Sequence, residues 1–284
     1  MTQYLRRVIA TFKGDSGSYR VTDLKISFEV SKTITGTPNA AEISIWNMAG
    51  GNRSRIGKEF DRVTLQAGYE KAGNIGIIFD GHVREVTHSR DDTDIVTKIE
   101  CGDGDKAKRK GVIAKTFPAK TKPKDMVKEI LKNMPDVAQG EWKGLDDLPE
   151  YKRPVTMCGP CWRELDKIGR SHKLFWSVQD GALEIIPKDG NLQDEVLISK
   201  ATGMVGVPSV TDAGIKVTTL LNPQLRCNRL VKVESQILEL NGKGQRYRIS
   251  GLSFSGDNRD GDFHAVVQGE TVKGASEGTK KGGK

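Results

Sequence analysis

Apolar and polar residues alternate along much of the chain, and the period of that alternation changes twice. Leu24, Ile26, Phe28 and Val30 occupy every second position, the spacing of a strand with one buried face. Ile43 and Ile45 keep the same rhythm within 41–47. Segments 62–69, 75–88 and 94–101 follow, with glycine and asparagine between them. Asp91-Asp92-Thr93-Asp94 is short and polar and predicts a hairpin tip between the last two. From about 111 to 188 the period lengthens. Pro123 suits the first turn of a helix, and Met126, Val127, Ile130, Leu131 and Met134 then recur on one helical face. A second helix is predicted from Pro160, with Trp162, Leu165 and Ile168 inward and Gly169 near its end. Segments 174–178 and 182–186 read as a hairpin around Asp180-Gly181. From Glu195 onward the strand period returns, in 214–221, 229–240, 245–255 and 262–272. Residues 273–284 are almost all Gly, Lys, Ser and Thr and are expected to form a flexible basic tail.

Within this pattern lies an internal repeat. Ile45-Trp46-Asn47-Met48 precedes Asp61-Arg62-Val63-Thr64-Leu65, and Leu220-Leu221-Asn222-Pro223 precedes Asn228-Arg229-Leu230-Val231-Lys232-Val233. Segment 86–95 runs through a polar hairpin, and 252–263 does the same with two residues added. The next strand runs to Gly102 in one copy and Gly269 in the other. The expected fold is mainly β with a small α/β insert. Two related antiparallel β-barrel-like tube domains flank that insert. The expected divisions are 1–110, 111–190, 191–272 and the tail 273–284. A two-unit chain that trimerises head to tail presents six similar units around one axis.

Composition narrows the class without choosing a ligand. The chain has 284 residues, 36% hydrophobic and 29% charged, the profile of a protein that buries a core. No apolar run approaches a membrane span, and Met1 to Arg7 lacks a secretory stretch, so synthesis in the cytoplasm is expected. The net charge of +8 suits an anionic partner and suits solubility equally. Four cysteines are too few for a disulfide scaffold.

The sharpest local motif is Cys158-Gly159-Pro160-Cys161, the spacing of a thioredoxin-type disulfide oxidoreductase. That chemistry requires the first cysteine at a helix N-terminus, where the dipole favours the thiolate. Val207-Pro208 would have to supply the cis-proline segment. Against it, the preceding hundred residues read as antiparallel β and not as a βαβ unit. A structural zinc site lacks a second Cys-x-x-Cys, because Cys101 and Cys227 lie far off. Segment 257–262 fails the calcium-loop pattern, which would place Gly256 and Val267 at ligand positions. His82 and His88 have even spacing but no partner pattern, and are read as solvent-facing or structural. The basic run Lys106, Lys108, Arg109, Lys110, Lys115, Lys120, Lys122 and Lys124 fits either a solvated connector or a surface facing DNA or acidic protein. No catalytic, cofactor-binding or metal residue is assigned.

The ordered set of motifs resembles the tail-hub proteins of contractile-tailed bacteriophages, the late control protein D-like group related to type VI secretion spike heads. The resembling residues are Ile45-Trp46-Asn47, Val63-Thr64-Leu65-Gln66-Ala67-Gly68-Tyr69 and Phe79-Asp80-Gly81-His82-Val83. Gly206-Val207-Pro208, Gly214-Ile215-Lys216-Val217, Leu220-Leu221-Asn222-Pro223 and the hairpin ending in Gly261-Asp262-Phe263 complete them. The resemblance implies a non-enzymatic homotrimer in the virion tail baseplate. Such a hub would join the tail tube protein to the central spike protein, contact baseplate wedge proteins, and surround a channel for tape measure protein and DNA. A glycan- or receptor-binding β protein of the virion or cell surface is the other non-enzymatic alternative.

Overall fold

A computed structural model describes residues 5–15, 17–211, 214–235 and 246–271. The first flank holds β1 (Arg6–Gly14), β2 (Gly17–Val21), β3 (Ile26–Thr33), β4 (Ala40–Trp46), α1 (Gly50–Arg53), β5 (Arg62–Tyr69), β6 (Gly76–Asp91) and β7 (Asp94–Gly102). The middle holds α2 (Asp105–Lys110), β8 (Val112–Phe117), α3 (Pro123–Lys132), β9 (Ala138–Trp142), β10 (Val155–Pro160), α4 (Cys161–His172), β11 (Leu174–Gln179) and β12 (Ala182–Pro187). The second flank holds β13 (Glu195–Ile198), β14 (Met204–Thr211), β15 (Gly214–Leu220), β16 (Leu230–Val233), β17 (Arg246–Asp257) and β18 (Phe263–Glu270). The chain is mainly β with antiparallel sheets and few helices.

Alternation explains the strands. β3 buries Ile26, Phe28 and Val30 and turns Glu29 and Ser31 outward. In the insert, α3 opens on Pro123, whose fixed φ and missing N–H cost nothing in a first turn. Its Met126, Val127 and Ile130 pack with Leu165 and Ile168 of α4 and with Trp176 and Leu183 of the hairpin. Ala107 of α2 joins that core. A separate core runs through both flanks, bringing Val8, Ile43 and Ile99 together with Val217, Phe254 and Val267.

Several elements differ from the expectation. α4 continues through Gly169 to His172 and ends where Lys173 turns left-handed at φ 54°. Gly169 has another use, since a Cβ there would lie 3.0 Å from the Leu174 carbonyl oxygen. Strands β1, β2, β8, β9, β10, β13 and β14 add to those expected. β9 pairs parallel with β12, which makes the insert hairpin a three-stranded sheet. The expected strand 229–240 is represented by β16, while 236–240 and the tail 273–284 lie outside the described residues.

Among the described residues the two flanks are joined in one thirteen-stranded sheet. The first flank runs β3-β4-β7-β6-β5, and the second runs β14-β15-β18-β17-β16, every neighbour antiparallel. Both place a bulge at the same point. Arg84 is the extra residue between the pairs Val83–Cys101 and Glu85–Glu100. Ser250 is the extra residue between Ile249–Gly269 and Gly251–Gln268. Three further backbone bonds recur. The Val83 N–H donates to the Asp61 oxygen at 2.8 Å, and that of Ile249 to Arg229 at 2.9 Å. Asn47 donates to Ile95 at 2.8 Å, and Leu221 to Phe263 at 3.0 Å. Trp46 donates to Lys25 at 3.1 Å, and Leu220 to Gly203 at 2.8 Å.

This register keeps the alignment of 86–95 with 252–263 and corrects the sequence repeat by one residue at its other anchors. Asn47 corresponds to Leu221 and not to Asn222, Asp61 to Arg229, and Cys101 to Gly269. A one-residue slip exchanges the two faces of a strand, so the shared letters misled where the shared hydrogen bonds do not. The symmetry ends at the outermost pair, where β1 lies antiparallel to β5 but β13 lies parallel to β16.

Candidate functional site: a strand junction and a buried polar seam

The flanks meet along β17. Its first part, Arg246 to Arg248, pairs with β16, and its second part, Gly251 to Asp257, pairs with β3. In this junction Val30 lies opposite Phe254, flanked by Glu29–Ser255 and Ser31–Ser253. Val30 and Phe254 are fully buried. Phe263 packs edge-on against Phe28 at 5.9 Å and Tyr69 at 5.4 Å between ring centres. The β17–β18 tip closes over the start of β3. The Asn258 side chain accepts the Ile26 N–H at 2.9 Å and donates to the Leu24 carbonyl at 2.8 Å. Arg6 donates to the carbonyls of Asp257 and Asp260. Apolar packing thus holds the pair of strands, and side-chain hydrogen bonds fix its register.

A polar seam seats the insert on this sheet. The Asp103 carboxylate accepts the backbone N–H groups of Asp180 at 2.7 Å and Gly181 at 3.0 Å, which form the β11–β12 turn. Asp180 also accepts a hydrogen bond from the buried Lys32 ammonium at 2.5 Å. Asn39 donates to the Val178 carbonyl at 2.9 Å, and Gln179 to the Thr33 carbonyl at 2.7 Å. On β12, Glu184 accepts from Asn228 at 2.8 Å and Arg229 at 2.5 Å, while Glu141 accepts from the other Arg229 nitrogen at 2.6 Å. Arg248 is buried and donates to the Lys188 and Gly190 carbonyls at 2.7 Å. Burial, and next the charge of Asp180, push the Asp103 carboxyl up to about 7, against the pull of Lys32 and the two N–H groups. The seam opens to a cleft lined by Lys32, Gln139, Glu141, Asp180 and Arg226.

The sequence marked Asp180 as a turn residue and Asn228-Arg229 as part of the repeat, but none of the seam residues as buried or as seating the insert. Their signal is polar residues at strand ends and turns, where Asp103, Asp180 and Asn228-Arg229 all fall. Such positions ordinarily face water, so the pattern alone does not mark them as buried.

The sequence candidates lie apart from the seam. Cys158 is exposed on β10 opposite Ala114, and Cys161 is the first residue of α4. The helix N-terminus therefore belongs to the second cysteine. That thiol is buried, points at the carbonyls of Ile130 and Asn133, and is pushed up to about 11 by burial. This reverses the arrangement a reactive pair requires. The 207–208 peptide is trans. His82 is buried with Nε2 3.1 Å from Asp136, whereas His88 is exposed. Asp257 accepts the N–H groups of Arg259 and Asp260 in a local turn. Among the described residues no cluster of His, Cys, Asp and Glu could hold a metal ion. Much of the basic run is spent within the chain, as Lys106 pairs with Asp136, Arg109 with Asp105, Lys115 with Glu129 and Lys124 with Asp146.

Comparison with known proteins gives this geometry a family. Residues 7–269 match the family described as baseplate hub gp41. The chain belongs to the baseplate hub gp41 family. Solved structures share its fold at low identity. The 43 kDa tail protein of prophage MuSo2 from Shewanella oneidensis is 11% identical, with a TM-score of 0.66 over 94% of this chain and 97% of that one. A tail protein of Neisseria meningitidis MC58 is 10% identical, with a TM-score of 0.65 over 94% and 97%. The E. coli c3393 protein, a type VI secretion component described as similar to phage T4 tail proteins gp27 and gp5, is 12% identical. Its TM-score is 0.64 over 88% of this chain and 74% of that one. No curated protein matches. The hub chain is accordingly a structural component of a phage tail baseplate.

Proposed function

We propose that this hub chain forms a homotrimeric ring with pseudo-sixfold symmetry at the tip of a contractile tail. In this reading its units, near 1–110 and 191–272, form the ring wall, and the insert, near 111–190, faces outward to baseplate wedge proteins. The ring joins the tail tube protein to the central spike protein and leaves a channel for tape measure protein and DNA. Assembly takes place in the bacterial host cytoplasm. The function is shape and interface, with no catalytic step.

One observation carries the reading. Five strands of each flank share order, pairing sense and bulge position, so one chain presents two equivalent wall segments. Three such chains offer six, which matches a sixfold tube on one side and a threefold object on the other. Native mass spectrometry of the full chain tests it. The expected mass is three times 31.2 kDa at micromolar concentration. A species that stays monomeric, or closes as a dimer or tetramer, overturns it.

A further inference from the structure

The junction inside the chain has a vacant counterpart at its two ends. By the shared register, β14 corresponds to β3, and the outer half of β6 corresponds to the part of β17 that β3 covers. β3 is paired on both edges, with β4 and with β17. β14 pairs with β15 and, among the described residues, ends the sheet. β6 pairs with β5 only from Gly76 to His82, so 85–91 has β7 on one edge and, among the described residues, no strand on the other.

Burial follows the same division. Phe263 is 1% exposed, and its counterpart Ile95 is 38% exposed. Val30 is 0% exposed, and its counterpart Val210 is 36% exposed. Phe254 is buried, while its counterpart His88 lies open. Ile95, Val210 and His88 are thus exposed at the two ends, and each has a counterpart that is buried at the internal junction. β14 also exposes Val205 and Val207, an apolar edge that a lone sheet usually avoids.

We propose that β14 of one copy pairs antiparallel with the outer half of β6 of a second copy, repeating the β3–β17 junction between chains. The register transfers directly. Ser209 lies opposite Ser89, Val210 opposite His88, and Thr211 opposite Thr87, as Glu29, Val30 and Ser31 lie opposite Ser255, Phe254 and Ser253. The contact is head to tail, since each copy offers β14 to one neighbour and β6 to the other. A rotation that closes makes a ring, and one that does not makes a filament. The inference rests on the trimeric ring proposed above and specifies which strands build it.

Cysteine cross-linking tests it in the full chain, on a Cys158→Ser background that removes the exposed native thiol. Ser89→Cys with Ser209→Cys places one thiol at each end, and both positions are exposed. Glu29→Cys with Ser255→Cys, also exposed, is the matching pair within the chain and calibrates oxidation. Mild oxidation of the end pair is expected to give dimers and closed trimers on a denaturing gel, and each single variant to give no trimer. The calibrating pair should oxidise without change of chain number. Light scattering before oxidation separates the two ideas. A trimer whose end pair stays uncross-linked, while the internal pair closes, overturns the strand pairing and leaves the ring standing. A monomer at all concentrations with no cross-link overturns both.

Discussion

Asp103 shows how one buried carboxyl ties local chemistry to stability. It is 1% exposed and holds the β11–β12 turn by two N–H donors. Its folded value is near 7, above the ordinary 3.8 of an unfolded chain. Below about pH 4 it is protonated in both states and its contribution is fully present. As pH rises toward 7 the unfolded chain releases its proton first, so stability falls, and above 7 the dependence flattens. The full shift corresponds to a few kcal/mol at roughly 1.4 kcal/mol per pH unit. Urea denaturation between pH 4 and 8 should show wild type losing stability relative to Asp103→Asn across this window. Parallel curves would contradict it. Cysteines make the complementary point. Cys101 and Cys227 are pushed up to about 12 by burial and Cys161 to about 11. Their environments hold them as small apolar side chains and not as nucleophiles.

Elements were legible where apolar spacing was regular and obscure where partners decided. β3, α3 and the β11–β12 hairpin could be read directly, because Ile26-Phe28-Val30, Met126-Val127-Ile130 and Asp180-Gly181 carry their own period or turn. β9 could not, since its residues Ala138 to Trp142 become a strand only by pairing parallel with β12. The repeat was visible in its order but placed one residue out at Asn47, Asp61 and Gly102, because the matching letters Asn222, Asn228 and Gly269 stand beside the positions that share hydrogen bonds and pairing. The seam was invisible, since Glu184 and Arg229 look like surface charges until β12 is laid against the second flank. Their pairing makes a prediction about docking of the insert. Glu184→Ala leaves buried Arg229 and Asn228 without their main acceptor and should cost about 3 kcal/mol. Glu184→Gln keeps an acceptor and should cost less. Urea midpoints check both, and a change under about 0.5 kcal/mol for the alanine variant would show that the seam contributes little.

At the scale of the whole molecule, the chain is two copies of one strand arrangement welded through β3 and β17, with a helical insert seated by buried charge. Among the described residues, one junction is covered within the chain and its counterpart edges carry no strand, so the subunit is finished in the middle and unfinished at both ends. That asymmetry is what a closed head-to-tail assembly requires. The direct test is cryo-electron microscopy of the isolated oligomer viewed along its axis. The account predicts an annulus of threefold symmetry with six near-identical wall lobes, joined at three junctions by the β3–β17 pairing within a chain and at three by contacts between chains. A map in which the two flanks of one chain sit at different radii, or in which no ring closes, would contradict it.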